Sequence, residues 1–157
     1  MKAAYRAEAL TMAKLAAAEK HGKRQDETSQ KRHVRDLDPL VFGSLDLRDA
    51  YDKHVAGCRM NSALKKPVLH ALIQFPIQLK INQETEKRML RNAIDFVNRT
   101  HGGDAVFAAR LDRDEDGQHT VDVFFSPKYE KQTKSKGAEV WISTTKHGKE
   151  LALKHQA

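Results

Sequence analysis

The segment Asp112–His119, DRDEDGQH, sets four carboxylates, a glycine and a histidine between two alternating apolar runs. Carboxylate oxygens and an imidazole nitrogen can hold a divalent ion, and the spacing allows three readings. Asp112-x-Asp114-x-Asp116-Gly117 opens like a calcium loop of the EF-hand type. The twelfth position from Asp112 is Val123, where a bidentate Glu is required, and the eighth is His119, where an apolar residue normally sits. Asp116-Gly117 is also a common turn pair, so a charged, hydrated hairpin tip explains part of the stretch. It explains less well why Asp112 and His119 lie inboard. If Asp112 and His119 meet on one face, they form a mixed oxygen–nitrogen site suited to manganese or magnesium rather than to a soft-ligand metal.

Two strands must position that site. Ala105–Asp112 and His119–Ser126 alternate and predict an antiparallel pair. On the first, Val106, Ala108, Arg110 and Asp112 share a face, and Phe107, Ala109 and Leu111 share the other, which reads as core. On the second, His119, Val121, Val123 and Phe125 share a face, opposite Thr120, Asp122 and Phe124. This strand is apolar on both sides, as a central strand is. Register decides whether Asp112 and His119 pair. Asp122 is expected to face away from them unless the strand bulges.

The remaining elements are simpler. Ala3–Arg6 starts a strand or a helix. Thr11 caps a helix over Met12–His21, with Gly22 as its stop. Residues 22–38 are polar and charged and read as a mobile loop. Leu47–Gly57 reads as a helix capped by Asp46, and Pro67–Leu79 as a strand limited by Pro76. Gln83–His101 is the clearest helix, with Met89, Leu90, Ala93, Phe96 and Val97 at helical spacing and Gly102-Gly103 ending it. Lys128–Lys136 reads as a basic loop, Val140–Ile142 as a strand, and a last helix runs from Ser143 or Thr144 through His155. The sum is one α+β domain over residues 1–157, an antiparallel sheet with helices packed on one face and the other face left for a ligand.

Composition narrows the class. The 157 residues are 39% hydrophobic and 31% charged, as in a folded domain. No apolar run reaches the ~20 residues that cross a bilayer, and no signal-peptide core opens the chain. The single Cys58 has no internal partner, so a cytoplasmic location is expected and no membrane role. Lys and Arg outnumber Asp and Glu by 28 to 21, which favours a polyanionic partner.

These segments resemble the Pre/Mob plasmid recombination and mobilisation proteins, relaxases of the HUH endonuclease type. That family's hairpin reads roughly His-x-Asp-Glu-x-x-Pro-His-x-His and runs into an apolar strand ending in Pro. Here the Asp114-Glu115 pair, His119 and DVFFSP match, while Asp112, Gln118 and Val121 stand at the first His, the Pro and the last His. Tyr5-Arg6, AAAEKHGKR with His21 and Arg24, FVNRTHGGDAVFAAR and WISTTKHGKELALKHQ resemble the family's other segments. The resemblance implies cleavage of single-stranded DNA at a plasmid transfer origin through a covalent histidine–DNA intermediate, with a divalent metal, Mn or Mg, on the hairpin. Carried over, His21 is the nucleophile, Arg24 and Glu115 its catalytic companions, and Asp112, Asp114 and His119 the metal ligands, with Val121 a lost one. The family carries a further C-terminal region, so assembly on DNA is expected to need a mobilisation partner protein.

Each assignment has a plainer counterpart. A helix end before glycine favours a cationic side chain, so His21 is also explained as an end residue. Lys128, Tyr129, Lys131, Lys134 and Lys136 could track a DNA backbone with Tyr129 stacked on a base, or form a solvated loop. Lys31, Arg32 and Arg35 follow closely on His21, and Arg6 and Arg110 add further cations. Two basic clusters bracketing one site favour DNA contact. The expected function is thus binding and metal-assisted nicking of single-stranded plasmid DNA. The alternative is a degenerate relaxase-like module that binds DNA without cutting it.

Overall fold

The computed structural model describes residues 3–145. Its main sheet has five strands in the order β1 (Ala4–Leu10), β4 (Val68–Gln74), β6 (Thr120–Phe125), β5 (Val106–Leu111) and β2 (Leu40–Phe42), with every neighbouring pair antiparallel. A smaller sheet holds β3 (Arg59–Met60), β8 (Gly137–Ile142) and β7 (Lys128–Thr133). The helices are α1 (Met12–Gly22), α2 (Glu27–Arg32), α3 (Leu47–Val55) and α4 (Gln83–Thr100). The α+β class and the antiparallel β5–β6 pair are as the alternation predicts.

The helices are divided between both faces rather than kept to one. On the first face Met89, Ala93 and Val97 of α4 pack on Ala71, Ile73, Ala109, Leu111, Val121 and Val123. On the second, Leu15 of α1 and Leu47 and Tyr51 of α3 pack on Val68, Ala108 and Phe124. This follows from β6, whose two faces are both apolar at its C-terminal end and both need cover. Only the N-terminal half of β6, where Thr120 and Asp122 replace apolar residues, stays open on the second face.

A bulge sets which residues go where. Val106 pairs with Phe125 but Ala108 pairs with Phe124, so Phe107 is the extra residue. Val106 therefore turns to the α4 side and Phe107 to α3, the reverse of strict alternation. Gly43 packs against this bulge; a Cβ there would meet the Phe107 carbonyl oxygen at 2.4 Å, and its φ is +77°.

Local chemistry accounts for the helix ends. Thr11 caps α1 by accepting from Lys14 N–H at 3.2 Å. Asn82 and Thr85 form a reciprocal capping box on α4. Asp46 precedes α3 as expected but makes no cap bond; Glu19 of α1 takes its place, accepting from Arg48 N–H at 3.0 Å while Asp46 pairs with Lys23. Two segments differ from the sequence reading. Residues 22–38 contain α2, capped by Asp26 and anchored by the buried Ser29, so the segment is not an unstructured loop. Lys128–Lys136 is β7 and the turn into β8. The C-terminal helix expected through His155 lies outside the described residues, among which no helix is long and apolar enough to cross a membrane.

Candidate functional site

Beyond Gly22 the chain turns back on itself at Arg24, which holds a left-handed backbone at φ 59°. A non-glycine residue there carries a cost of about 1–2 kcal/mol, and the Arg24 side chain shows what offsets it. Its Nε and Nη2 donate to the two carboxylate oxygens of Asp114 at 2.7 and 2.6 Å, and its Nη1 donates to the His21 carbonyl at 2.9 Å. This two-pronged pair holds the Asp114 carboxyl well below the usual carboxylate range and raises the Arg24 guanidinium above its ordinary value. His33 Nδ1 lies 3.1 Å from the same carboxylate, and that bond raises the imidazole's pKa. Val34 N–H and Arg35 N–H both donate to the Asp114 carbonyl, and Arg35 Nη1 donates to the carbonyls of Arg113 and Glu115. The hairpin tip is thus clamped to the segment after α1.

That clamp brings His21 to the open half of the second sheet face. His21 Nδ1 is 3.1 Å from Asp26 Oδ2, and its Nε2 stands 3.9 Å from Glu115 Oε1. Asp26 also accepts from the backbone N–H and the hydroxyl of the buried Ser29, and these bonds, led by the hydroxyl's, draw its pKa down to about 2. An ionised Asp26 accepts from Nδ1–H, the tautomer that in a neutral imidazole puts the lone pair on Nε2. His21 lines a cleft of about 520 Å³ together with Arg32, His70, Arg110, Asp112, Glu115 and Asp122, among others.

The floor of the cleft is set by strand register. Arg110 of β5 pairs with Asp122 of β6, and Leu72 of β4 lies on the other side of Asp122. Arg110 is only 4% exposed. Its Nε lies 3.3 Å from Asp112 and its Nη2 3.9 Å from Asp122. His70 Nε2 bonds Asp122 Oδ1 at 2.7 Å, and its ring stacks on Phe124 with centroids 4.4 Å apart. Burial is the largest influence on Asp122 and pushes its pKa up. The His70 bond and the Arg110 charge together outweigh it, and the net shift is downward.

The catalytic trio expected from the sequence, His21, Arg24 and Glu115, does converge: Arg24 Nη2 is 3.3 Å from Glu115 Oε1. The metal trio does not. Asp112 lines the cleft, but Asp114 is consumed by Arg24, and His119 Nε2 bonds the Leu79 carbonyl at 2.8 Å. Because Arg110 pairs with Asp122, the residue facing Asp112 is Thr120 rather than His119, which belongs to the α4 face with the fully buried Val121. Val121 therefore does not mark a lost ligand. Asp122, expected to face away, is the residue on the cleft side. Among the described residues no three His, Cys, Asp or Glu side chains form a group that could hold a metal ion.

The basic residues divide. Arg32 lines the cleft, and Arg6 lies in an adjoining groove with His70 and Leu72. Lys31 is exposed and paired with Glu27, while Arg35 serves the clamp. Lys128 bonds Asp104 at 3.0 Å, Tyr129 stands opposite Trp141, and Lys131 lies over the Trp141 ring at 5.0 Å. Lys134 and Lys136 are exposed at the β7–β8 turn. These follow the C-terminal end of β6, about 20 Å of strand from the hairpin, and none of them lines the cleft.

Three solved structures of the MobM relaxase domain (MOBV; Mob_Pre), all manganese-bound and carrying plasmid pMV158 oriT DNA, superpose on this architecture. The pH 4.6 crystal structure aligns at a TM-score of 0.67 and 15% identity, over 99% of this chain and 81% of that one. The pH 5.5 structure gives 0.66 and 13%, over 92% and 76%. The pH 6.8 structure, with a 3′-thiophosphate, gives 0.62 and 17%, over 80% and 69%. The chain has the relaxase fold. No protein-family model matches the sequence, and no curated protein does either.

Sequence reasoning missed His70, Asp122 and His33. A signal existed for the first two. Each is the lone polar residue interrupting an apolar run, VLHALI and VDVFF, and two such interruptions on adjacent strands point to one shared site. His33 carried none, because its partner Asp114 is 81 residues away.

Proposed function

We propose that this relaxase-fold chain binds single-stranded DNA of the plasmid-transfer type across the cleft and opens the strand through His21. The observation that carries the reading is the His21 geometry: Nδ1 is held by the ionised Asp26, and the residue lines the cleft with Nε2 turned toward Glu115, 3.9 Å away. In the proposed step Nε2 attacks a backbone phosphorus, an N–P bond forms, one P–O ester bond breaks, and the departing oxygen takes up a proton and leaves as a hydroxyl. The imidazole becomes cationic as it attacks, and Asp26 stabilises that charge through Nδ1–H. Arg32 and Arg6 would receive the flanking phosphates. The solved neighbours' DNA and manganese motivate the choice of DNA class and raise the question of a metal. The hairpin residues read as metal ligands, Asp112, Asp114 and His119, do not fit one, since two are committed elsewhere.

The test is a labelled single-stranded oligonucleotide drawn from a mobilisable-plasmid transfer origin. The protein is expected to retard it on a native gel and leave an SDS-resistant adduct, and His21→Ala to keep the retardation and lose the adduct. An adduct undiminished in His21→Ala would overturn the assignment. A second reading, binding without cleavage, draws on the missing metal trio; retardation with no adduct from the parent protein would select it.

A further inference from the structure

The centre of the cleft floor raises a question of charge. Asp112 and Asp122 both point into it, each with a side chain nearly nine-tenths buried. Two carboxylates sharing one desolvated pocket require a cation between them. A divalent ion is the usual solution in a site with hard oxygen donors and an adjacent imidazole such as His70. Here the cation belongs to the protein.

We propose that Arg110 is a built-in replacement for a metal: its guanidinium takes the place between Asp112 and Asp122 that a divalent ion would need, so the cleft engages phosphate without one. Three independent features hold it there. Its Nε and Nη2 face the two carboxylates at 3.3 and 3.9 Å. The ring of Phe124 lies beneath it, 5.5 Å from Cζ. Gly22, at the end of α1, closes over it so tightly that a Cβ there would stand 3.1 Å from Nη1. Arg24 Nη2, 3.5 Å from Asp112, adds a second positive charge on the same carboxylate. Asp112 thus faces two guanidinium groups, and Asp122 is shared between Arg110 and His70, so both carboxylates that flank Arg110 already face cations of the chain, although Asp112 Oδ1 and the neighbouring Glu115 Oε1 make no hydrogen bond.

The inference deepens the proposed function, and its test is separate from it because the first arm contains no DNA. Manganese chloride alone is titrated calorimetrically into the parent protein and into Arg110→Met, each checked by circular dichroism for the folded state. The parent is expected to give no saturable binding up to millimolar Mn²⁺. Arg110→Met removes the guanidinium that stands between Asp112 and Asp122, lets these two and His70, which form no metal-holding group while it is there, close on an ion, and is expected to gain one site, at least tenfold tighter, that Arg110→Met/Asp122→Asn loses. A one-to-one Mn²⁺ site in the parent that Asp122→Asn removes would overturn the proposal, as would a folded Arg110→Met with no gain. Should Arg110→Met fail to fold, the second arm decides. Retardation of the oligonucleotide by the parent protein is expected to be equal, within twofold, in EDTA and in Mn²⁺; a loss in EDTA restored by Mn²⁺ would refute metal independence. Absence of retardation in both would count against the DNA reading, and the manganese arm would still judge Arg110.

Discussion

Removing the Arg24 side chain tests whether the clamp between the α1 exit and the hairpin organises the site. Arg24→Ala deletes both bonds to Asp114, whose side chain is 9% exposed, and leaves that carboxylate without its main partner. Truncating one member of a buried pair costs about 3–5 kcal/mol. Arg24 is itself 19% exposed and His33 remains beside Asp114, so about 2–4 kcal/mol is the better figure. Alanine also keeps the unfavourable left-handed backbone. Arg24→Gly loses the same bonds but relieves that backbone and should recover about 1 kcal/mol. At about 2–4 °C per kcal/mol for a chain of this size, Arg24→Ala should melt about 4–16 °C below the parent and Arg24→Gly a few degrees above Arg24→Ala. Thermal and urea unfolding followed by circular dichroism supply both numbers. A double-mutant cycle with Asp114→Asn should return a coupling of at least 1 kcal/mol or so. A coupling near zero, or Gly and Ala variants of equal stability, would refute the argument.

Other expectations follow from the same contacts. Asp114 has a depressed folded pKa, so its stabilisation is full above its ordinary value of 3.8 and drains as pH falls toward the folded value; the urea-midpoint gap between parent and Asp114→Asn should shrink below pH 4. His33 has a raised folded pKa, so its contribution is full below its ordinary 6.5 and fades as pH rises through the folded value; His33→Ala should destabilise at pH 5.5 and matter least at pH 9. Arg32→Ala should lower the log–log salt slope of oligonucleotide binding by about 0.7, the share of one single-strand phosphate contact, and an unchanged slope would remove Arg32 from the DNA path. Val121→His places an imidazole in the fully buried α4 face and should cost about 2–5 kcal/mol without creating a Mn²⁺ site. Tight Mn²⁺ binding by that variant would show the register to be different.

How far the sequence carried the reading depended on the range of the interactions. Periodicity and caps are local, so α1, α4, β4, β5 and β6 were legible from Thr11, the helical spacing that ends at Gly102-Gly103, and the alternating apolar runs. β2 and β3 are too short for a pattern, and β7 hides in a lysine-rich segment because it belongs to the smaller sheet. Register was the costly unknown. The Phe107 bulge and the Arg110–Asp122 pairing put Asp122 in the cleft and sent His119 and Val121 to the α4 side, so a ligand set read by letter matching came apart. His21, Arg24 and Glu115 lie together because a clamp, not register, brings them there. The cost of His21's placement was paid by Asp26 and Ser29, which a reading of residues 22–38 as loose chain could not foresee.

The central claim is that His21 Nε2 meets a DNA phosphate, and peptide mapping of the DNA adduct tests it most directly. After incubation with the transfer-origin oligonucleotide, nuclease trimming and proteolysis, mass spectrometry should find a nucleotide on the peptide carrying His21, joined by an acid-labile, base-stable N–P bond. A nucleotide mapped instead to Tyr5, Tyr51 or Tyr129, with the acid-stable linkage of a phosphotyrosine, would contradict the account.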